Sequence, residues 1–453
     1  MPVLTAQHVA AVCAGRVVGD GVAAASRVVA DSRDVRPGDA FVAVRGGHDF
    51  VAEAVASGAV LAVVERADAL PRGATAVVVD DSVRALGELA ASVRSTLDVR
   101  VVGITGSFGK TLTKDFVAAA LGPRYRVHAA QGSYNTEVGL PLVVLGCPPD
   151  AEVLVVELGA RRPGEIAELC AIALPHVGVL TGVGTTHLEI FGSRDAIART
   201  KTELLEALPP DGLGVVPSDD DYLDLFAEHT AARLATVGPG GRTRYAADHI
   251  DSSGRTFGRV SIDGVQTGVV LPIPGRALFR NAAMAVCVAT ELGVDAVDAA
   301  GAIGRASTSG ARMELADIGG WTVVNDAYNA NPTSTAAALR TLLELRPRGQ
   351  RWAVLGAMAE LGPISECAHE RIGRLAASLG YAGVVVVGAE ARPMAMGAGS
   401  VAHAVDTLEE AAELVCSRVP AGAVVLVKGS LVTGLSRFPA VLRTRLDRTR
   451  EEV

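Results

Sequence analysis

The chain has 453 residues, 49% of them hydrophobic, 20% charged and 4% aromatic, with a formal net charge of −8. That length allows about three domains of roughly 150 residues each, and the apolar share excludes a disordered chain. The acidic balance and the scarcity of aromatic rings argue against nucleic-acid binding, and the absence of any apolar run near 18 residues argues against membrane insertion.

In chain order, the first residues, MPVLTAQHVAAVCAGR, place no basic segment ahead of their apolar part, so no signal peptide is read there. Residues 1–96 form a first block. Its apolar runs at 40–44 and 60–64 predict strands, a helix-like piece covers 49–57, and a Pro-Gly turn lies at 37–38. Asp31-Ser32-Arg33 follows another apolar run. This triplet suits a phosphate or polar nucleotide group, and it equally suits a plain strand end.

Residues 97–310 form a second block, which carries the chain's central motif. Val101-Val102-Gly103-Ile104 predicts a buried strand, and Thr105-Gly106-Ser107-Phe108-Gly109-Lys110-Thr111 predicts a loop. After the loop, Leu112, Phe116 and Ala119/Ala120 recur at helical spacing. In this strand–loop–helix order, backbone N–H groups and a helix N-terminus converge on an anion. Lys110 can reach terminal phosphates, and the Thr111 hydroxyl can bind Mg²⁺. The spacing is a variant, because Ile104 stands where a G-x-x-x-x-G-K-[ST] loop has its first glycine.

Further along, Val153–Val156 predicts a strand ending in Glu157, where a carboxylate borders the crevice of an open α/β sheet and suits a nucleotide's metal. The strand at 177–181 leads into a glycine-rich loop bearing His187, which is open to a metal-ligand or a structural role. Lys201 lies on a helix with Ile197, Leu204, Leu205 and Leu208; by itself it reads as a solvated charge. Residues 243–272 alternate like strands, and Pro272–Arg276 leads into a helix carrying Asn281.

Residues 311–453 form a third block. Strands are predicted at 322–325, 352–356, 384–388 and 423–427, alternating with helices at 333–345, 366–379 and 407–417. This is the rhythm of a second parallel sheet. Two polar runs follow strands and present side chains: Asn325-Asp326-Ala327-Tyr328-Asn329-Ala330-Asn331-Pro332 and Lys428-Gly429-Ser430. The cysteines at 13, 147, 170, 287, 367 and 416 lack any Cys-x-x-Cys, a pattern of reduced cytoplasmic thiols.

The stretches GITGSFGKTLTK, NTEVGLP, ELGARRPGEI, GTTHLEIFGS, NDAYNANPTS, LGAMAELG and LVKGS together resemble the Mur ligase family over essentially the whole chain. The likeness is greatest to members that add D-alanyl-D-alanine to UDP-N-acetylmuramoyl-tripeptide in peptidoglycan synthesis. The resemblance implies an α/β fold of three domains: an N-terminal domain (1–96) for a UDP-linked acceptor, a central P-loop ATPase-like parallel sheet (97–310), and a C-terminal Rossmann-like domain (311–453) for an amino-acid or dipeptide amine. It implies a monomeric ATP-dependent ligase that works through an acyl phosphate.

The resemblance also implies residue roles. Gly106, Ser107, Gly109, Lys110 and Thr111 would hold phosphates, with Asn281 at the adenine and Arg312, Asp326, Tyr328 and Asn331 near the ribose, the phosphates or the domain interface. Thr111, Glu157, His187 and Lys201, the lysine as a carbamate, would serve two Mg²⁺ ions, and Lys110, His187 and Lys201 are the expected catalytic set. Asp31, Ser32, Arg33, Asn135 and Lys428 would contact the substrates. Thr136, Ala277, Ala357 and Leu431 depart from the family pattern, and the loop at 44–50 is short. These departures fall on substrate recognition, so a paralogue joining another acid and amine stays open. A nucleotide-binding pseudoenzyme is a third reading, against which the retained metal residues speak.

Overall fold

A computed structural model describes residues 3–186, 188–345 and 349–451. Three large sheets follow one another along the chain, beside a two-stranded antiparallel ladder of Leu4–Thr5 with Ala24–Ala25. The first has the strand order Arg16–Val18, Ala76–Val78, Leu61–Val64, Asp39–Val42, Arg27–Val29, with only the Arg16–Val18 pairing antiparallel. Leu61–Val64 is buried at every position, which explains an unbroken apolar run instead of an alternating one. The helix-like piece at 49–57 splits into a 3-10 turn, Arg45–Phe50, and a short helix, Val51–Ala56.

The central sheet has nine strands, in the order Val265–Leu271, Thr256–Ile262, Thr243–Ile250, Arg233–Val237, Leu213–Pro217, Val177–Leu180, Arg100–Thr105, Val153–Glu157, Val127–Ala129. The alternating stretch at 243–272 proves to be a three-stranded antiparallel meander on one edge; the remaining strands pair in parallel. From Arg100–Thr105 the chain goes first to one side of the sheet and later to the other. The C-terminal end of that strand is therefore a topological switch point, where an open α/β sheet presents its ligand crevice.

The third sheet runs Glu314–Ile318, Trp321–Asn325, Val424–Lys428, Arg351–Leu355, Gly383–Val387, Ala402–Val405. The four predicted strands are its interior and next-to-edge members. The first and last are additions that apolar runs did not reveal, because these edge strands are only partly buried.

Two apolar clusters tie the three units together. One passes from Val9 and Leu86 to Ile166 and Leu204; the other passes from Phe116 and Met284 to Leu339 and Ile372. The helix Ser82–Arg94 belongs to the first cluster. Asp81 caps it by accepting from the Val83 and Arg84 amides, and Leu86, Leu89, Ala90 and Val93 form its buried stripe. Among the described residues, no helix is long and apolar enough to cross a membrane.

Candidate active site

The loop at 106–109 takes its shape from two glycines. Gly109 caps the helix Lys110–Leu121 at φ 73°, and a Cβ there would lie 2.3 Å from Asn281 Nδ2. Gly106 has φ 139°, and its Cβ would lie 2.1 Å from Thr181 Oγ1. Any side chain at either position would force the loop open. Thr181 Oγ1 donates to the Phe108 carbonyl at 2.5 Å, and Asn281 Nδ2 donates to Thr113 Oγ1 at 2.8 Å. Lys110 Nζ folds back onto the Gly106 carbonyl at 2.9 Å. Desolvation pushes its ammonium down, and Glu157 opposes that shift. Ser107 Oγ is buried and unpartnered, so the cradle holds a polar atom that an anion's oxygen would satisfy.

Glu157, 3% exposed, ends its strand beside this loop. Thr111 Oγ1 donates to its Oε2 at 2.7 Å; Ser133 Oγ and Asn135 Nδ2 donate to its Oε1 at 2.8 and 2.6 Å. This is a compact set of hard oxygen donors, the chemistry Mg²⁺ selects. Lys114 supports it from behind. This side chain is 1% exposed, and its ammonium donates to the carbonyls of Ala130 and Gly132 and lies 3.0 Å from Asp115, pinning the segment that carries Ser133 and Asn135. Sequence reasoning passed over Lys114. The signal was available, because it falls on the buried face of its helix one turn after Lys110.

Lys201 is 3% exposed, not solvated. Burial pushes its amine down to about 7, helped by Lys110 and opposed by Glu203 and Glu165. His187 lies outside the described residues; its neighbour Thr186 donates to the Ser107 carbonyl at 3.0 Å.

The third unit closes over the loop. Asn331 caps the helix Pro332–Glu344 and donates from Nδ2 to Thr186 Oγ1 at 3.3 Å. Arg312 stacks on the Tyr328 ring, 3.9 Å from its centroid. Lys428 is 2% exposed, and its ammonium is fully engaged within its own unit: Asp326 Oδ2 at 2.6 Å, the Asp326 carbonyl at 3.2 Å and the Asn329 carbonyl at 3.0 Å.

A cleft of about 1050 Å³ gathers most of the expected residues. Its lining includes Gly106, Ser107, Gly109, Lys110 and Thr111, then Asn135, Glu157 and Lys201, and from the third unit Arg312, Asp326, Tyr328, Asn331 and Lys428. Two of the expected groups are not among the lining residues. Asn281, expected at the adenine, braces the loop from behind and is not part of the lining. Asp31 and Arg33 form an exposed pair with each other at 2.5 Å, and neither they nor Ser32 are part of the lining.

A phosphate-cradling glycine loop at a sheet switch point, a buried glutamate beside it and a cleft shared by three α/β units define a P-loop nucleotide-binding protein of multi-domain type. Comparison with known proteins makes the assignment specific. Residues 25–94 match the description "Mur ligase family, catalytic domain", residues 104–289 the Mur ligase middle domain, and residues 311–431 the Mur ligase glutamate ligase domain. The chain belongs to the Mur ligase family. It is 37% identical, over 89% of each chain, to the UDP-N-acetylmuramoyl-tripeptide–D-alanyl-D-alanine ligase of Mycobacterium tuberculosis, and 35% identical to that of Bacillus subtilis over 76% of each. Among solved structures, MurF from Acinetobacter baumannii superposes with a TM-score of 0.88 at 30% identity, covering 98% of this chain and 99% of that one. MurF from Thermotoga maritima in complex with ADP gives 0.81 at 33% identity, covering 93% and 98%.

Proposed function

We propose that the chain is an ATP-dependent, ADP-forming ligase that joins D-alanyl-D-alanine to UDP-N-acetylmuramoyl-tripeptide, the reaction for which its relatives are named. The observation that carries this reading is a single cleft presenting the phosphate loop, Glu157, Lys201 and the Asp326–Asn331 loop together. In this reading residues 1–96 bind the UDP-linked acceptor, 97–310 bind ATP, and 311–453 bind the amine. Three separate large sheets, one in each stretch, support that division.

The chemistry follows from leaving groups. A carboxylate is a poor electrophile, so its oxygen first takes the γ-phosphoryl group and ADP departs. The amine then attacks the acyl carbon, an N–C bond forms, and the tetrahedral intermediate collapses with loss of phosphate and a proton. Little covalent work falls to the protein, and positioning with charge neutralisation dominates. Lys110 and the amides at 106–111 hold the β- and γ-phosphates, and Ser107 Oγ gains its missing partner. Thr111 and Glu157 would hold one Mg²⁺, and His187 with Lys201 a second; such ions neutralise charge on the phosphates and the acceptor carboxylate. A Lys201 amine near 7 is about half uncharged at neutral pH, where an ordinary lysine is almost wholly protonated, and the uncharged share is nucleophilic. Attack on CO₂ with loss of one proton would give a carbamate, supplying oxygen where an ammonium would repel a cation.

The test is phosphate release with UDP-N-acetylmuramoyl-tripeptide plus D-alanyl-D-alanine, with the product mass confirmed, against a panel of other acids and amines. Turnover that needs both named substrates, and that Lys110→Ala abolishes, supports the reading. Turnover only with the panel would select a paralogue, a second reading favoured by one observation: Leu431 and Val432, 57% and 81% exposed, form an apolar lip on the cleft.

A further inference from the structure

One arm of the cleft runs between the helix Ser82–Arg94 of the first unit and the segment 159–172 of the central one. Three arginines line it: Arg84, Arg161 and Arg162. They are not equally available. Arg162 is clamped by Glu168 at 2.7 Å and by Glu165 at 3.4 Å. Arg84 lies between Asp80 and Glu88 at 3.9 and 3.7 Å. Among the described residues, the Arg161 guanidinium has no ion-pair or hydrogen-bond partner.

The backbone beneath Arg161 is nevertheless tightly fixed. Glu165 Oε2 accepts from the Arg161 and Arg162 amides at 2.5 and 3.2 Å. Glu203 accepts from the Gly164 and Ala167 amides at 2.7 and 3.0 Å. Gly164 turns at φ 87°. The segment follows Glu157, the last residue of its strand, and is pinned at Gly159, whose amide donates to the Asn135 carbonyl at 2.8 Å. A fixed turn four residues from the candidate metal carboxylate thus holds out a fork of donors that no described residue of the chain takes up. A planar guanidinium of this kind pairs bidentately with a carboxylate.

Resting on the proposed reaction, we infer that Arg161 is a specificity residue for the acceptor: it grips a second carboxylate on the acceptor's last residue, the one that is not activated. A related structure carries the name UDP-N-acetylmuramoylalanyl-D-glutamyl-2,6-diaminopimelate–D-alanyl-D-alanyl ligase. 2,6-Diaminopimelate has two carboxylates, so one remains free when the other becomes the acyl phosphate. An acceptor ending in lysine has the same chain length to its distal amine and no such group.

The experiment compares wild type, Arg161→Ala and Arg161→Lys on acceptors ending in diaminopimelate and in lysine, with ATP and D-alanyl-D-alanine saturating. Wild type is expected to show a KM about tenfold lower for the diaminopimelate acceptor, the size of one charge-assisted contact partly open to water. Arg161→Ala should erase that difference by raising the diaminopimelate KM alone, with kcat and the KM for ATP within twofold of wild type. Arg161→Lys should restore part of the preference. Equal KM changes on both acceptors, or none on either, would overturn the assignment while leaving the ligase reading intact. No turnover by wild type on either acceptor would remove both.

Discussion

Lys428 offers the sharpest test of how the site is held together. Its ammonium has three protons and three acceptors, all from the 326–329 loop. Lys428→Met keeps the length and apolar stem of the side chain and deletes the charge, leaving Asp326 Oδ2 and two carbonyls without the ammonium, while Asp326 Oδ1 keeps the Met313 amide at 3.2 Å. Breaking a buried ion pair from one side costs roughly 3–5 kcal/mol. Asp326 retains 16% of its side-chain exposure, so water recovers part of its solvation and the lower end, about 3 kcal/mol, is expected. The readout is built in, because both tryptophans, Trp321 and Trp352, lie in the third unit. Tryptophan fluorescence in a urea titration therefore follows the unit that the substitution touches. Asp326→Asn on top of Lys428→Met should add little, since the pair is already broken. A loss below about 1 kcal/mol, with a raised KM for the amine instead, would refute the internal-pin account and make Lys428 a substrate ligand.

Gly109→Ala places a methyl group 2.3 Å from Asn281 Nδ2 at φ 73°; ADP affinity by calorimetry should fall more than about tenfold, from strain of roughly 1–2 kcal/mol plus the clash. Lys201→Met should stabilise the protein in CO₂-depleted buffer at pH 6–7 while abolishing turnover. The Lys201 amine is at about 7 when folded against 10.5 as the ordinary value, so the unfolded chain binds the extra proton. The wild-type penalty is full below pH 7 and fades as pH rises toward 10.5; a pH-independent difference in unfolding midpoint would contradict it. Thr186→Val removes the hydroxyl between Asn331 and the Ser107 carbonyl. It should weaken nucleotide binding about three- to tenfold, from one or two lost hydrogen bonds, measured as ADP Kd.

What the sequence revealed and what it hid divide by distance along the chain. Lys110, Thr111 and the glycines were legible because strand, loop and helix are contiguous, and the loop's chemistry follows from its own backbone. Glu157 was legible because a buried run ending in a carboxylate marks a strand's C-terminal end. The partners that Lys428 and Asn281 have within the chain were not legible: Lys428 donates to Asp326, 102 positions away, and Asn281 to Thr113, 168 positions away. Such partners leave no trace in spacing. Lys201 shows the same limit from the other side, since its helix pattern suggested a solvated charge, whereas that helix packs on the central sheet and on the helix Glu165–Ala173 and leaves Lys201 3% exposed. The helix Ser82–Arg94 is different. Its Asp81 cap and apolar stripe were present in the sequence, and it forms one wall of the cleft.

The phosphate loop is the point where the separate units meet. Asn281 braces it from the helix Phe279–Glu291, Thr181 from the neighbouring strand end, and Asn331 reaches it from the third unit through Thr186. Asp115, on the helix that the loop caps, also accepts from the Ser309 amide at 2.7 Å and from its hydroxyl at 3.0 Å, at the entrance to the third unit. If a nucleotide orders the loop, it also orders the acceptor sites for these bonds, and docking of the third unit gains from it. By reciprocity, whatever holds the third unit down must tighten nucleotide binding by the same factor. A ligase that makes an acyl phosphate needs this coupling, because the intermediate survives only if the third unit is in place before water reaches it.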